Sequence, residues 1–184
     1  ADACEILREA YEGEEPVNIG SGESHAIRDL AALVADVVGF RGDDGSGDRL
    51  VALLREAGAD VSGVLRVRGR PTTVKTRIVA RNASGLQQVL RVDREEDAPL
   101  RAAESRALAA AARRAVRGAD AVVLSDYAKG ALPDAVLAAA IREARRRGGL
   151  ALVDPKRADF RGYRGATVVT PNRAETERAK ATTL

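Results

Sequence analysis

Three short apolar runs, each followed at once by a polar cluster, constrain the fold of this chain more than any other feature. The runs and the first polar residue after each are 121–124 with Ser125, 150–153 with Asp154, and 166–169 with Thr170. Runs of this length, with a helical pattern between the first two, are typical of parallel strands buried on both faces. In such open α/β sheets, ligands bind outside the carboxyl ends of the strands. We therefore expect the three clusters to share one rim, which is the candidate site.

Asn172 and Glu175, in the third cluster, have the spacing of a site for nucleotide phosphate and hydrated Mg²⁺. They follow Pro171, so we expect them near the start of a helix. Mg²⁺ prefers one or two carboxylates with several waters, and the N–H groups of a helix start favour phosphate. A helix cap with a glutamate in the first turn has the same spacing, so the local pattern leaves both interpretations open.

Lysine is rare among the basic residues, and three of the four lysines lie within polar clusters: Lys75, Lys129 and Lys156. A compact ammonium group meets a phosphate or a hydroxyl as a point charge, which a planar guanidinium does not. Lys156 has the spacing either to pair with Asp154 or to reach a phosphate. The same two interpretations apply to Asp126 and Lys129.

In residues 64–93 apolar and polar residues alternate, with a period of two. This pattern predicts strands of an antiparallel, half-exposed sheet. Such a sheet beside a parallel core is a natural lid over a ligand site. Thr73 and Lys75 are two apart and share one face of their strand. They could present a hydroxyl and a charge to a sugar, or form a solvated face of the lid.

Before residue 64 the pattern predicts a short strand over residues 16–19, a turn over 20–22 and a helix over 24–38. The glycine- and aspartate-rich residues 41–48 are expected to form a solvated loop, followed by a helix over 50–57. Two further helices are predicted over residues 98–117 and 133–147, each with an apolar stripe facing inward.

The bulk composition excludes several classes of protein. Hydrophobic content of 45% and charged content of 31% are ordinary for a globular chain. A net charge of +3 comes from bases and acids interleaved along the helices, so no nucleic-acid partner is expected. No apolar run approaches the roughly 20 residues that span a bilayer, and the acidic start lacks the basic region of a signal peptide, which predicts a cytoplasmic protein without a membrane partner. One cysteine and one histidine exclude a cysteine/histidine metal site, and no side chain is expected to bind a metal directly.

Five motifs resemble, in order and spacing, the kinase domain of the D-glycero-β-D-manno-heptose-7-phosphate kinases. These enzymes belong to the ribokinase-like, or PfkB, carbohydrate kinases. The motifs are residues 72–77, 88–93, 125–130, 154–156 and 170–175, and the resemblance covers residues 42–178. It implies an α/β fold, a partial ribokinase-like parallel sheet flanked by helices with a small antiparallel lid.

The same resemblance implies ATP-dependent phosphorylation of heptose 7-phosphate at its anomeric hydroxyl, on the route to ADP-heptose for lipopolysaccharide or S-layer glycans. ATP and Mg²⁺ are the implied cofactors. The implied substrate-binding residues are Thr73, Lys75, Asp126 and Lys129. The implied nucleotide and Mg²⁺-phosphate residues are Asn172, Arg173, Ala174 and Glu175, with Lys156 as a phosphate-binding or structural residue.

Two departures from the family pattern lead us to expect a truncated, inactive chain. The family's sugar-binding aspartate and Gly-Gly motif do not occur before residue 42, and its catalytic Gly-Ala-Gly-Asp motif does not occur in the sequence. The family's catalytic base lies in this second motif, so no catalytic residue is assigned. Phosphoryl transfer depends mostly on positioning and electrostatic stabilisation, and a chain without these motifs is not expected to perform it. Exposed sheet edges and faces would favour low solubility or a homodimer.

Residues 1–40 have a different likeness, because they resemble the C-terminal part of the GDP-L-fucose synthases. We therefore expect two parts, an epimerase/reductase-like fragment over residues 1–41 and a partial kinase domain over 42–184. Two alternatives follow: a non-catalytic module for sugar or nucleotide binding or for dimerisation, and a reductase fragment. The sequence carries no NADP-binding glycine loop, which counts against the reductase.

Overall fold

Strands and helices alternate through most of the computed structural model, which describes residues 36–82 and 85–183. The strands are β1 (Asp36–Gly42), β2 (Asp60–Val67), β3 (Val74–Asn82), β4 (Gly85–Arg94), β5 (Ala121–Ser125), β6 (Leu150–Asp154) and β7 (Val168–Val169). The helices are α1 (Gly45–Glu56), α2 (Ala102–Gly118), α3 (Asp134–Arg147) and α4 (Arg173–Thr183), with a 3₁₀ helix at Phe160–Tyr163. Predictions for residues 1–35 lie outside the described residues.

Two parallel sheets carry the fold. β1 pairs with β2, and β5, β6 and β7 form a second sheet in that order. The three apolar runs of the sequence are the strands of this second sheet, which confirms both the strands and their parallel arrangement. Their carboxyl ends therefore lie on one side, and we call the residues that follow them the rim.

The lid is the antiparallel hairpin β3–β4, in which Lys75 lies opposite Asp93 and Ile78 opposite Leu90. β2 was expected in this antiparallel sheet, and that expectation was wrong, since β2 pairs parallel to β1. Alternation reports only that one face of a strand is buried, and Val61 and Val67 of β2 are buried in this way. The helical connection α1 makes the parallel pairing with β1 possible.

The core lies where α2 and α3 pack against each other and beneath the sheets. Leu108 of α2 and Leu137 and Ile141 of α3 are almost fully buried, together with Val153 of β6. Burying each such side chain contributes about 1.5–3 kcal/mol. The inward stripes predicted for both helices are confirmed. α3 ends at Gly148, whose φ of 73° is the left-handed conformation that glycine adopts without strain.

We expected β5, β6 and β7 to be buried on both faces, and that expectation was wrong. Leu124, Ala151 and Val153 are buried on the face that meets the helices. Val123, by contrast, is 71% exposed, and Leu150 and Val168 are exposed as well. The second sheet therefore buries one face against the helices and leaves apolar side chains on the other.

The segment around residues 36–48 differs from its prediction in two respects. Residues 36–38 begin strand β1, not the end of a helix, because β-branched Val37 and Val38 fit a paired strand as well as a helical stripe. Residues 41–48 are not a solvated loop: Asp44 caps α1 by accepting a hydrogen bond from the N–H of Gly47, which is buried. β1 crosses the boundary predicted between residues 41 and 42, and the division into two parts stays a prediction.

Within residues 36–82 and 85–183, no helix combines the length and the hydropathy that crossing a membrane requires.

Candidate functional site

The rim brings together the polar clusters that follow β5, β6 and β7. The N–H of Asp126 donates to the carbonyl of Asp154 (2.9 Å), and the N–H of Thr170 donates to the carbonyl of Val153 (2.9 Å). These bonds extend the sheet ladder past the ends of the strands. The clusters are thus neighbours, as the sequence predicts.

Asn172 and Glu175 form a reciprocal cap at the start of α4. The Asn172 side-chain oxygen accepts from the N–H of Glu175 (2.9 Å), and a Glu175 carboxylate oxygen accepts from the N–H of Asn172 (2.9 Å). This is a capping box, which satisfies two backbone donors at the helix start. The capping interpretation of the spacing is therefore confirmed, and the nucleotide role of Asn172, Arg173, Ala174 and Glu175 stays a prediction.

Lys156 connects the end of β6 to this helix start. Its Nζ lies 3.1 Å from Oε1 of Glu175, whose side chain is only 4% exposed. Hydrogen bonds from the Asn172 N–H and then from Lys156 lower the pKa of Glu175. The Lys156 side chain is about half exposed, so its ammonium group can also face a ligand.

The described residues fit Mg²⁺ only as an ion held through phosphate and water. No group of three histidine, cysteine or acidic side chains among residues 36–82 and 85–183 converges as a metal cage. Both Glu175 carboxylate oxygens already accept hydrogen bonds, and the side chain is buried. Lys156 and the first N–H groups of α4 are the groups that fit a nucleotide phosphate.

Asp126 lies in a buried network that the sequence analysis did not find. Its Oδ2 accepts from Arg157 Nε (2.7 Å) and from the Tyr163 hydroxyl (2.9 Å), and its Oδ1 accepts from the N–H of Ala128 (2.8 Å). Burial, and next the hydrogen bond to Asp126, raise the pKa of Tyr163 to about 12. The carboxylate of Asp126 is thus engaged within the chain, and its role in substrate binding stays a prediction.

Residues 126–130 hold a constrained backbone after β5. Ala128 has a φ of 54° and Gly130 a φ of 81°. For a non-glycine residue such as Ala128 the left-handed region costs about 1–3 kcal/mol, and such strain is concentrated at functional sites. The turn points Lys129, between these two residues, toward the lid.

Lys75 and Lys129 meet at one carboxylate. Lys75 Nζ lies 2.9 Å from Oε2 of Glu95, and Lys129 Nζ lies 2.8 Å from Oε1 of the same residue. Lys75 also pairs with Asp93 (3.0 Å) and Lys129 with Asp97 (2.8 Å). Hydrogen bonds from Lys129 and then Lys75 lower the pKa of Glu95. We call these five residues the lysine cluster, and it joins the lid to the rim.

Arg70 clamps the backbone beneath the lysine cluster. Its guanidinium group donates to the carbonyls of Ala98 (2.6 Å), Glu96 (2.6 Å) and Lys129 (3.2 Å) and lies 4.7 Å from the centre of the Phe40 ring. Arg70 is 8% exposed, so its hydrogen bonds are shielded from water. The clamp fixes the end of the lid relative to the turn that carries Lys129.

Thr73 and its neighbour Thr72 have opposite surroundings. Thr73, the predicted substrate residue, is exposed. Thr72 is buried, and its hydroxyl donates to Asp44 (2.6 Å) and accepts from the N–H of Gly42 (2.9 Å). Thr72 therefore anchors the base of the lid, while Thr73 remains available to a ligand.

Several residues of the site gave no usable signal in the sequence. Glu95 and Arg70 act on partners far along the chain, and Arg157 and Tyr163 lie in a segment without periodicity. Only the strained turn had a partial signal in the sequence, since Gly130 closely follows the apolar run 121–124.

Comparisons with known proteins show the family of this chain. Residues 24–182 match the profile of the pfkB family carbohydrate kinases. The chain is 44% identical over 179 residues to the bifunctional protein HldE of Mesorhizobium japonicum, covering 92% of this chain and 35% of that protein. It is also 44% identical over 160 residues to bifunctional protein HldE of Azorhizobium caulinodans, covering 85% of this chain and 33% of that protein.

Solved structures share the fold at low sequence identity. Arabidopsis thaliana ribokinase, complexed with ribose and ATP, superposes with a TM-score of 0.55 at 17% identity, covering 82% of this chain and 48% of that one. For 2-dehydro-3-deoxygluconokinase of Thermotoga maritima the TM-score is 0.58 at 16% identity, with 84% and 52% covered. A partial ribokinase-like fold is thus confirmed.

The matched region has two further consequences. It begins at residue 24 and so crosses the boundary predicted near residue 42; the likeness of residues 1–40 to GDP-L-fucose synthases stays a prediction. The chain spans about a third of the length of the curated relatives it matches. On the family match, the chain belongs to the pfkB family of carbohydrate kinases.

Proposed function

We propose that this chain is the sugar-binding and nucleotide-phosphate-binding part of an ATP-dependent kinase that acts on heptose 7-phosphate at the anomeric hydroxyl. The observation that carries the proposal is the convergence of Lys75 and Lys129, from the lid and the rim, on the single carboxylate of Glu95. Two ammonium groups brought to one anionic group can hold a phosphate in its place, because each acts as a point charge with three donors.

The lid side of the site binds the phosphorylated sugar. Lys75 and Lys129 hold the phosphate, and Thr73, which is exposed and directly precedes β3, offers a hydroxyl two residues before Lys75. Asp93 and Asp97 remain beside the lysines and can accept hydrogen bonds from sugar hydroxyls. This arrangement favours a sugar phosphate over a bare phosphate ion, because only the sugar supplies hydroxyls that can donate to these carboxylates.

The rim side binds the nucleotide. Lys156 and the start of α4, with Asn172, Arg173 and Ala174, face the phosphates, and Glu175 positions both by its bonds to Lys156 and Asn172. Mg²⁺, bound to the nucleotide, would neutralise phosphate charge there. Glu175 acts in this account as a positioning residue.

Thermal unfolding with and without ligand tests the proposal. Saturating heptose 7-phosphate should raise the Tm by several degrees, because a ligand at 100 times its Kd stabilises the native state by about 2.7 kcal/mol. Lys75→Gln and Lys129→Gln should each abolish most of the rise. Mg-ATP should give its own rise, which Lys156→Gln removes and Lys75→Gln leaves intact.

The matched control is Lys180→Gln, a lysine on α4 outside both parts of the site. It should leave both ligand-induced rises unchanged. If heptose 7-phosphate still raises the Tm of both Lys75→Gln and Lys129→Gln, the assignment of the sugar side is overturned.

A homodimer through the lid is a second part of the proposal. Ile78, Leu90 and Val92 are about half exposed and share one face of the hairpin, opposite the face of Lys75. An apolar face of this kind is a typical protein contact. Light scattering should give twice the monomer mass, and Leu90→Lys should return the chain to monomer. The proposed kinase function includes a cytoplasmic location for the protein.

A further inference from the structure

A basic cavity of about 540 Å³ lies between α3 and the segment that follows β6. Four arginines and two aspartates line it, which gives its lining a formal charge of +2. Asp134, Ala138 and Arg142 are spaced four residues apart and form one stripe of α3. The opposite wall includes Gly162 of the 3₁₀ helix and Arg164, which follows that helix. None of the lysines or α4 residues assigned to the two ligand sites above lines this cavity.

Both aspartates of the cavity are already paired with arginines. Asp134 accepts a hydrogen bond from Nη1 of Arg157 (2.5 Å), and Asp159 accepts one from Nε of Arg161 (2.9 Å). Two of the four arginine charges are therefore compensated within the cavity. The excess positive charge belongs to the other two arginines.

Three arginines at the cavity have no acidic partner among residues 36–82 and 85–183. They are Arg142 and Arg145 of α3 and Arg164 on the opposite wall, and all three are exposed. Gly165 allows Arg145 to lie beside Arg164: its φ is 92°, and a Cβ added to it would lie 2.9 Å from Nη1 of Arg145. The Arg145 guanidinium group thus packs against the backbone directly after Arg164, so positive charge from both walls meets beside one cavity.

The helix dipole does not account for this cluster. A cation is favoured in the last turn of a helix, and the effect falls off beyond that turn. Arg145 lies in the last turn of α3, but Arg142 precedes that turn and Arg164 lies outside the helix. Uncompensated like charges held close together repel one another and attract anions. The cluster therefore has the electrostatics of an anion site.

A phosphate group matches the cavity better than a carboxylate does. A guanidinium group presents its donors as a rigid fork that fits phosphate oxygens in pairs. A phosphomonoester carries a charge of about −1.5 to −2 and three acceptor oxygens, which balances the formal charge of +2 in the lining. The volume of about 540 Å³ falls within the range of about 300–1,000 Å³ that is typical of small-molecule pockets, so there is room for more than a bare ion.

We propose that this cavity binds a small phosphorylated metabolite, whose phosphate group lies between Arg142 and Arg164 with Arg145 beside it. The carbon part of the ligand lies over Ala138 and Gly162, which are partly exposed and carry no polar side chain. The inference goes beyond the proposed kinase function and does not depend on it, because the cavity uses other residues and lies behind the rim on α3.

Backbone amide NMR spectra of the full chain, titrated with glycerol 3-phosphate at constant ionic strength, test the proposal. Saturable shifts should appear at Arg142, Gly162 and Arg164, and glycerol at the same concentrations should cause none. Acetate should bind there at least about 10-fold more weakly, because it has a single charge and one acceptor oxygen fewer. Shifts at Lys75 and Lys129 report binding at the proposed sugar site, so the two sites are read separately.

Charge-removing variants provide the second part of the test. Arg142→Gln and Arg164→Gln should each raise the Kd of glycerol 3-phosphate at the cavity by about 10-fold, since each removes a charge-assisted hydrogen bond. Arg113→Gln is the matched control, because Arg113 is an exposed arginine of α2 without an acidic partner in the described part of the chain. Its Kd should equal that of the unmodified chain.

Three results would overturn the proposal. The first is the absence of saturable shifts at the cavity in the unmodified chain, which requires no variant to fold. The second is a Kd at the cavity that neither Arg142→Gln nor Arg164→Gln changes. The third is an equal loss of affinity in Arg113→Gln, which would show that glycerol 3-phosphate responds only to the overall charge of the chain.

Discussion

The hydroxyl of Thr72 donates to Oδ1 of Asp44 over 2.6 Å, across a sequence separation of 28 residues. The other Asp44 oxygen accepts from the N–H of Thr72 (3.0 Å), and the Thr72 hydroxyl accepts from the N–H of Gly42 (2.9 Å). Oδ1 of Asp44 also caps α1 through Gly47 (2.9 Å). This pair ties together the end of β1, the start of α1 and the connection that leads into the lid.

Thr72→Val should lower the free energy of unfolding by about 1–3 kcal/mol, because it removes the hydroxyl that donates to Oδ1 of Asp44 and leaves the N–H of Gly42 without its acceptor. Urea denaturation measures the change. The control is the exposed neighbour in Thr73→Val, for which we expect a change within about 0.5 kcal/mol. Equal effects of the two variants would contradict the anchoring role of Thr72.

Acid should weaken the fold through Asp44. Hydrogen bonds from the Thr72 side chain, then from the backbone of Thr72 and Gly47, lower the pKa of Asp44 from 3.8 to about 2. As the pH falls from about 4 to about 2, the unfolded state takes up a proton before the folded state does, so stability present above this range is lost within it. Asp44→Asn should be less stable at neutral pH and should flatten this part of the profile. An unchanged slope in that variant would count against the assignment.

Lys156→Gln should lower the urea midpoint of the chain, since it removes the cation that faces the buried carboxylate of Glu175. Arg173→Gln is the matched control, because Arg173 pairs with Glu177 on the exposed surface of the same helix. Exposed pairs of this spacing contribute only about 0.3–0.5 kcal/mol. The account requires a clearly larger effect at Lys156, and a larger effect at Arg173 would refute it.

Glu95→Gln should loosen the lid, because it removes the carboxylate that pairs with both Lys75 and Lys129. Hydrogen exchange of the amides in β3 and β4 should become faster, and core amides such as that of Leu137 should not change. High salt should produce part of the same effect in the unmodified chain, since the pairs are partly exposed and screened by ions. If neither the substitution nor high salt changes the exchange rates of the β3 and β4 amides, the lysine cluster is excluded as the connection between lid and rim.

The sequence predicts local patterns well and long-range partners poorly. Short apolar runs predicted the strands β5, β6 and β7, and cap residues predicted the start of α4. These signals arise from interactions between residues only a few positions apart. Alternation in β2 could not reveal its direction, because a strand buries one face equally well beside a parallel or an antiparallel neighbour. Val37 and Val38 satisfied a helical stripe and a strand at once, and only pairing with β2 decides between them.

The site shows the same limit. The sequence indicated Lys75, Lys129 and Lys156 as candidate phosphate-binding residues. Their partners Glu95 and Glu175 lie 19 to 34 positions away, and no local pattern connects them. Arg70 binds backbone carbonyls, which every residue carries, so no sequence pattern marks its targets.

Calorimetric titration of the chain with heptose 7-phosphate and with unphosphorylated heptose tests the central claim most directly. The account predicts that the 7-phosphate binds at least about 10-fold more tightly, and that Lys75→Gln and Lys129→Gln each remove most of this difference, because each takes away a charge-assisted hydrogen bond of about 1.5–3 kcal/mol. Equal affinity for the two sugars, or a preference for the phosphorylated sugar that survives both substitutions, would contradict it.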